Sequence, residues 1–269
     1  MELFYRKSGT GSPLIILHGL YGSSDNWYSI ARELASSHTV YVVDQRNHGQ
    51  SPHYPDHNYE VLREDLHTFM LTHEIDRAVI LGHSMGGKTA LAFGLKYPEK
   101  VSKMVVVDIS PFGYMASSQS PESTIHERII HALQTLIPGK ISSREEADKL
   151  LQKSIAPPSV RHFLLKNLKR SPGGNYFWAL NIAAIANNMP AIFASVLPEN
   201  NPDQVALSGF PLLFIRGEYS GYLRAPDIER ISRLFPQALF ITVAGAGHWV
   251  HAEQPAAFLA AVRNFVQDV

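Results

Sequence analysis

Leu14–Leu17, Ala78–Leu81 and Met104–Val107 are short apolar runs without polar alternation, and they end at His18, Gly82 and Asp108. A strand wetted on one face alternates. A run that does not alternate is buried on both faces, as in a parallel sheet covered by helices on each side. Helix-length stretches separate the runs. Asn26–Ser37 follows an Asp25 cap, Tyr59–His73 sets Val61, Leu62, Leu66 and Phe69 at helical spacing, and Ser84–Tyr97 does the same with Ala90, Leu91 and Leu95. Strand, helix, strand, helix predicts an α/β fold with a mostly parallel central sheet flanked by helices.

After Asp108 the rhythm stops. Between Pro111 and Ser208 no buried-strand run occurs, and helical signals recur between Pro and Gly breakers. Ser120-Pro121 starts a helix lined by Ile125, Ile129, Ile130, Leu133, Leu136 and Ile137. Ser142 with Glu145 fits a capping box, and Ser159 precedes Phe163, Leu164, Leu165 and Leu168. The α/β rhythm returns with Pro211–Arg216, Pro226–Leu234, Ala238–Val243 and Pro255–Val266. The expected organisation is a core of residues 1–111 and 208–269 interrupted by a helical lid, 112–207. There is no internal repeat and no low-complexity tract.

The chain has 0 cysteines, so thiol catalysis, disulfides and Cys-ligated zinc are excluded and Ser, His or a carboxylate must carry covalent chemistry. Gly82-His83-Ser84-Met85-Gly86 fits the strand-to-helix elbow that exposes a serine nucleophile, with Ala78–Leu81 before it and Gly87–Tyr97 after it. A serine at its free pKa needs a base, and the base an orienting acid. Of the 13 histidines, His248 follows a strand in the flexible Ala244-Gly245-Ala246-Gly247 loop and keeps the chain order serine, acid, histidine. His251 competes but lies nearer the final helix, and Pro55 between His53 and His57 argues against a helical metal pair. The usual acid position follows the first strand after the insertion, and there the chain reads Gly217-Glu218-Tyr219-Ser220, with a serine where an aspartate is expected. Asp108 ends the strand after the nucleophile helix, on the same rim of a parallel sheet, and is the first choice, with Glu218 as the substitute. His18-Gly19-Leu20-Tyr21-Gly22 follows the first strong strand, which makes the amides of Leu20 and Met85 the expected oxyanion hole. His18 is expected to organise that loop and not to react. Tyr176, Phe177 and Trp178, in the insertion, line an acyl pocket or pack the lid on the core.

Taken in order, His18-Gly19, Asp44–Ser51 (Asp-Gln-Arg-Asn-His-Gly-Gln-Ser), Gly82–Gly87 and Gly247-His248 resemble the α/β-hydrolase superfamily over essentially the whole chain. Arg46–Gly49, Gly86-Gly87-Lys88, Val107–Pro111 and Ala244–Glu253 are similar, more narrowly, to the YbfF-like bacterial esterases. That resemblance implies hydrolysis of carboxylic esters, including acyl thioesters such as acyl-CoA, with no metal or organic cofactor. It also implies an acid at the end of the strand after the nucleophile, the place of Asp108.

Twenty-four Lys+Arg balance 24 Asp+Glu, so no net field draws the chain to nucleic acid or anionic lipid. A local patch of Lys88, Arg216 and Arg224 remains an option for a CoA phosphate. The apolar runs are far shorter than a membrane span, and Met1–Gly9 lacks the order of a secretory signal, so a soluble, cytoplasmic monomer or homodimer is expected. The partner is a small acyl ester or thioester. Pimeloyl-ester, carbon-carbon bond and lactone hydrolases would keep the same triad, and a perhydrolase or lyase shares the scaffold. From another class, an idle ligand receptor would keep the pocket.

Overall fold

A computed structural model describes residues 1–114, 121–198 and 209–267. Among the described residues nine strands form: β1 (Tyr5–Ser8), β2 (Ser12–Leu17), β3 (His38–Val43), β4 (Ala78–His83), β5 (Val101–Val107), β6 (Leu168–Arg170), β7 (Tyr176–Trp178), β8 (Leu212–Gly217) and β9 (Leu239–Val243). Seven build one sheet in the order β1-β3-β2-β4-β5-β8-β9. Only β1 is antiparallel to its neighbour; every other pairing is parallel.

The missing alternation has a direct cause. Ile15, Leu17, Ile80, Met104, Val106 and Phe214 face one buried layer, where α2 (Tyr59–Thr72) and α3 (Met85–Lys96) supply Leu66, Phe69, Leu91 and Phe93. The intervening Leu14, Ile16, Val79, Leu81, Val105 and Leu213 face the other, against Trp27, Ile30 and Leu34 and against Phe258 and Val262 near the C-terminus. Both faces are dry, and each fully buried aliphatic side chain contributes about 1.5–3 kcal/mol. β1 and β3 were not among the runs singled out in the sequence; β1 is a mostly exposed edge whose Arg6, Lys7 and Ser8 carry no apolar signal.

Helices follow the expected places, with shifts of zero to two residues at their starts. α1 (Tyr28–Leu34) is preceded by a 3₁₀ turn, Ser24–Trp27, capped by Ser23 and not by Asp25. In the insertion lie α4 (Pro121–Thr135), α5 (Arg144–Gln152), α6 (Pro158–Leu165), α7 (Ile182–Asn187) and α8 (Met189–Phe193); Ser120 lies outside the described residues. The cap of α5 is Ser143, whose hydroxyl accepts from Glu146 N, while the Glu146 carboxylate accepts from Ser142. The core closes with α9 (Ala225–Leu234), α10 (Val250–Glu253) and α11 (Pro255–Val266).

Beside its helices the insertion carries one element that the sequence reading did not expect: β6 and β7 pair as an antiparallel hairpin around the Pro172–Gly174 turn. Ile129, Leu133, Leu151, Leu164, Leu180 and Ile185 gather with Leu20, Leu62 and Met85 into a third apolar cluster, which seats the insertion on the core. Its two arms pair where the insertion begins and ends: Tyr114 N donates to Phe193 O (3.0 Å) and Val196 N to Pro111 O (3.0 Å). Among the described residues no helix is long and apolar enough to cross a membrane.

Candidate active site

Ser84 stands between β4 and α3 with φ 54° and ψ −119°, a conformation that L-residues avoid. The turn is held because Ser84 N donates to Val107 O (2.9 Å) and Ser84 O accepts from Gly87 N (2.8 Å). Gly86 has no alternative: a Cβ there would sit 2.3 Å from Leu17 O. As the first residue of α3, Met85 has no intrahelical acceptor for its amide. The Gly19–Gly22 turn, closed by Gly22 N donating to Gly19 O (2.9 Å), carries Leu20 as its first central residue. Both amides therefore belong to backbone positions that a substrate oxygen can use.

Asp108 repeats the elbow one strand along. Its φ is 52°, its amide donates to Ile215 O (2.7 Å), and its side chain is wholly buried. Every acceptor of that carboxylate is directed. Oδ1 accepts from Gly217 N (3.0 Å), and Oδ2 accepts from His248 Nδ1 (2.7 Å) and from the Ser220 hydroxyl. Ser220, the serine standing where an acid was expected, thus serves the acid that follows β5. Gly217 also lets the histidine loop close in, since a Cβ there would meet Gly247 O at 2.0 Å. Glu218 does not approach His248; its carboxylate accepts from Gly245 N (2.8 Å) and braces the same loop from outside.

His248 is partly exposed, its side chain 22% accessible, and its carbonyl accepts from His83 Nε2 (2.9 Å). With Nδ1 spent on Asp108, Nε2 is the free ring nitrogen, the arrangement a general base requires. His251 is buried instead, stacked on Trp27 at 4.0 Å, and burial drops its pKa to about 3. Burial likewise holds His18 near 4 and His48 near 3, so both are neutral. His18 donates through Nδ1 to Gly19 O and accepts from Gln45 N; His48 accepts from Tyr21 N (3.2 Å). These rings fix the Gly19–Gly22 turn. Among the described residues no group of His, Asp and Glu is arranged to hold a metal.

Two cavities reach Ser84. The larger, about 230 Å³, is lined by His248 and by apolar side chains of the insertion, Ile125, Ile129, Val160, Phe163 and Leu164, with Trp249 at the base loop. The smaller, about 20 Å³, lies between Met85, Lys88, Tyr59, Tyr114 and Phe193. Neither is lined by Tyr176, Phe177 or Trp178. Phe177 is exposed, Tyr176 and Trp178 pack against the third cluster, and Trp178 Nε1 donates to Leu136 O (3.3 Å).

Two of the three cations considered for a phosphate patch are engaged elsewhere. Lys88 is buried, its ammonium donating to Phe112 O (2.8 Å) and Ala194 O (2.7 Å), and Arg224 pairs with Asp227. Sequence reasoning missed His83, His126, Ser220 and Tyr222. Ser220 carried a signal, as the misfit at an acid position, and His83 stood inside the elbow motif at the end of β4; His126 and Tyr222 reach the site from the insertion and from a loop.

Residues 12–255 match the family model described as the alpha/beta hydrolase fold. The sn-1-specific diacylglycerol lipase ABHD11 of Danio rerio is 37% identical over 96% of this chain and 80% of its own length. Esterase YbfF of Escherichia coli is 33% identical over 96% of this chain and 94% of its own. Among solved structures, a marine microorganism esterase superposes with a TM-score of 0.93 at 44% identity, covering 98% of this chain and 99% of that one.

Proposed function

The chain belongs to the α/β-hydrolase family, and on that premise we propose that it is a carboxylic-ester hydrolase working through Ser84, His248 and Asp108. The observation that carries this reading is the 2.7 Å contact of buried Asp108 with His248, on the same rim as a strained serine that opens into an apolar cavity. His248 Nε2 takes the Ser84 proton as Oγ attacks the acyl carbonyl, and Asp108 stabilises the imidazolium. The amides of Leu20 and Met85 hold the oxyanion; loss of one such donor costs about 10²–10³ in rate. The imidazolium returns its proton to the leaving alcohol or thiol. Water, deprotonated by the same histidine, then releases the acid from the acyl-enzyme.

The substrate is an uncharged acyl ester of short to medium chain, because the larger cavity is walled by aliphatic and aromatic side chains. Esters are favoured over acyl-CoA, since Lys88 is spent on backbone carbonyls and Arg224 on Asp227. Similarity to an esterase and to a diacylglycerol lipase supports the same class of bond.

Hydrolysis of p-nitrophenyl esters from acetate to palmitate, with acyl-CoA thioesters alongside and Ser84→Ala as the blank, tests the proposal. Turnover should fall by at least about 10³-fold in Ser84→Ala. Hydrolysis that survives the substitution, or its absence from every substrate in the wild type, would sink the reading and favour a narrow lactone or carbon-carbon hydrolase or a receptor.

A further inference from the structure

His126 lies in α4, on the insertion, and lines both cavities that reach Ser84. It is the imidazole of the lid at the site, and no step of the triad mechanism uses it. Its two ring nitrogens are both engaged: Nε2 with the Tyr222 hydroxyl at 3.1 Å and Nδ1 with the Tyr21 hydroxyl at 3.3 Å. The two tyrosines belong to different halves of the machinery. The ring of Tyr222 stacks on His248 with centroids 4.0 Å apart and planes 28° apart. Tyr21 follows Leu20 in the oxyanion turn, has a φ of 62°, and donates its amide to His48.

From this bridge we infer that His126 is a positioning residue through which the seated lid sets both the base and the oxyanion turn; the inference rests on the serine-hydrolase reading above. A neutral imidazole has one N–H and one lone pair, so it donates to one hydroxyl and accepts from the other. Burial keeps His126 neutral, with a pKa near 4, so this complementary pattern holds at physiological pH. Tyr222 is held along its backbone, where Ser220 Oγ accepts from its amide (3.3 Å) and its carbonyl accepts from Tyr114 OH (2.8 Å), and at its hydroxyl, which meets His126. The His126 bond holds the tip of the ring beside His248. The insertion holds Tyr21 a second time, because Asn167 Nδ2 donates to Tyr21 O (2.7 Å). A lid that lifts therefore releases the face of His248 and the turn bearing Leu20 together. Base and oxyanion donors become fully ordered when the lid is down on its substrate.

Packing alone would make His126 replaceable by an apolar side chain, and this separates the two roles. His126→Leu, His126→Gln, Tyr222→Phe and the His126→Leu/Tyr222→Phe double variant should be assayed on p-nitrophenyl butyrate. Each should also be followed for the rate at which a p-nitrophenyl phosphonate labels Ser84. His126→Leu should lower kcat and the labelling rate about five- to tenfold with KM nearly unchanged, the size expected for one or two directed hydrogen bonds. Tyr222→Phe, which removes only the base-side bond, should lose activity but no more than His126→Leu, and the double variant should lose no more than His126→Leu alone. His126→Gln, which keeps a donor and an acceptor, should recover most of the rate.

Independent, multiplying losses, or an unchanged kcat and labelling rate in Tyr222→Phe, would overturn the inference. Tyr222→Phe removes a single oxygen and so reports even if His126→Leu folds poorly. A wild-type enzyme that the phosphonate does not label at Ser84 would instead overturn the hydrolase reading itself.

Discussion

The strand-end rim and the insertion hold their functional groups by different means. On the rim, Ser84 and Asp108 occupy the same kind of backbone kink one strand apart, φ 54° and 52°, each pinned by a main-chain bond from the next strand, Val107 O and Ile215 O. The parallel register thus sets the spacing of nucleophile and acid, and strain of this kind survives only where the surroundings over-determine it. The insertion has no such lattice against the core. It rests on an apolar cluster, on an isolated bridge of His48 with Leu180, and on scattered polar bonds that include Asn181 N to Asn47 O (2.9 Å), Asn167 to Tyr21, Lys88 to Phe112 and Ala194, Tyr59 OH to Ile192 O (2.7 Å), and the His126 bridge. Rim geometry is suited to bond breaking, and the insertion to gripping the substrate and completing the site.

The sharpest way to break this contrast is at the acid. Asp108→Asn should lower kcat on a good ester by on the order of 10³–10⁴, because an amide neither stabilises the imidazolium nor holds its tautomer. Glu218→Gln should cost far less, since that side chain only braces Gly245. Steady-state kinetics of the two variants decide it. A silent Asp108→Asn beside a dead Glu218→Gln would move the acid to the strand after the insertion.

The same contrast explains what the sequence disclosed. The rim was readable because a strand buried on both faces, a glycine-flanked serine and a terminal aspartate are local signals, and chain order turns them into neighbours. Ser120 and residues 199–208 lie outside the described residues, and the fate of Tyr176–Trp178 depends on a hairpin that three residues of strand barely announce. Their aromatic cluster reads equally as pocket or packing until the hairpin is seen. His126 and Tyr222 are nearly a hundred residues apart in the chain, and neither carries a pattern. Lys88 was the most misleading signal: a surface cation by residue type, it is among the most buried side chains of the protein.

Lys88 gives the next-largest expected effect, on stability. Its ammonium lies 4.7 Å from the Tyr114 ring centroid and between carbonyls from both arms of the insertion, and burial pulls its pKa down to about 7. A neutral amine still has two N–H groups for the two carbonyls, so the clamp persists above that pH. Lys88→Met strands both carbonyls and should cost about 1–3 kcal/mol at pH 8.5. Because the folded pKa lies below the unfolded one, the unfolded chain binds more protons between about pH 7 and the ordinary lysine pKa. The wild type should therefore gain on Lys88→Met by up to about 1.4 kcal/mol per pH unit across that window. Below pH 7 the difference should stay flat. Urea unfolding of both proteins at pH 6, 7.5 and 9 measures this; a gap that narrows as pH rises would mean the amine is not buried as a folded-state group.

The smallest expected effect separates the cavity wall from the outer hairpin. Phe163 lines the 230 Å³ cavity and packs on Trp249 with centroids 5.1 Å apart, whereas Phe177 is 47% exposed on β7. Phe163→Ala enlarges the space beside Ser84 and should shift the preferred acyl chain toward greater length, with selectivity between neighbouring esters changing by roughly tenfold, since a methylene in an apolar pocket is worth about 1–3 kcal/mol. Phe177→Ala should leave the chain-length profile where it is. Profiles of the two variants over the same p-nitrophenyl series compare them directly. If Phe177→Ala moves the optimum and Phe163→Ala does not, the hairpin folds over the substrate during turnover, and the division between a rigid rim and a gripping insertion has to be redrawn with β7 inside the site.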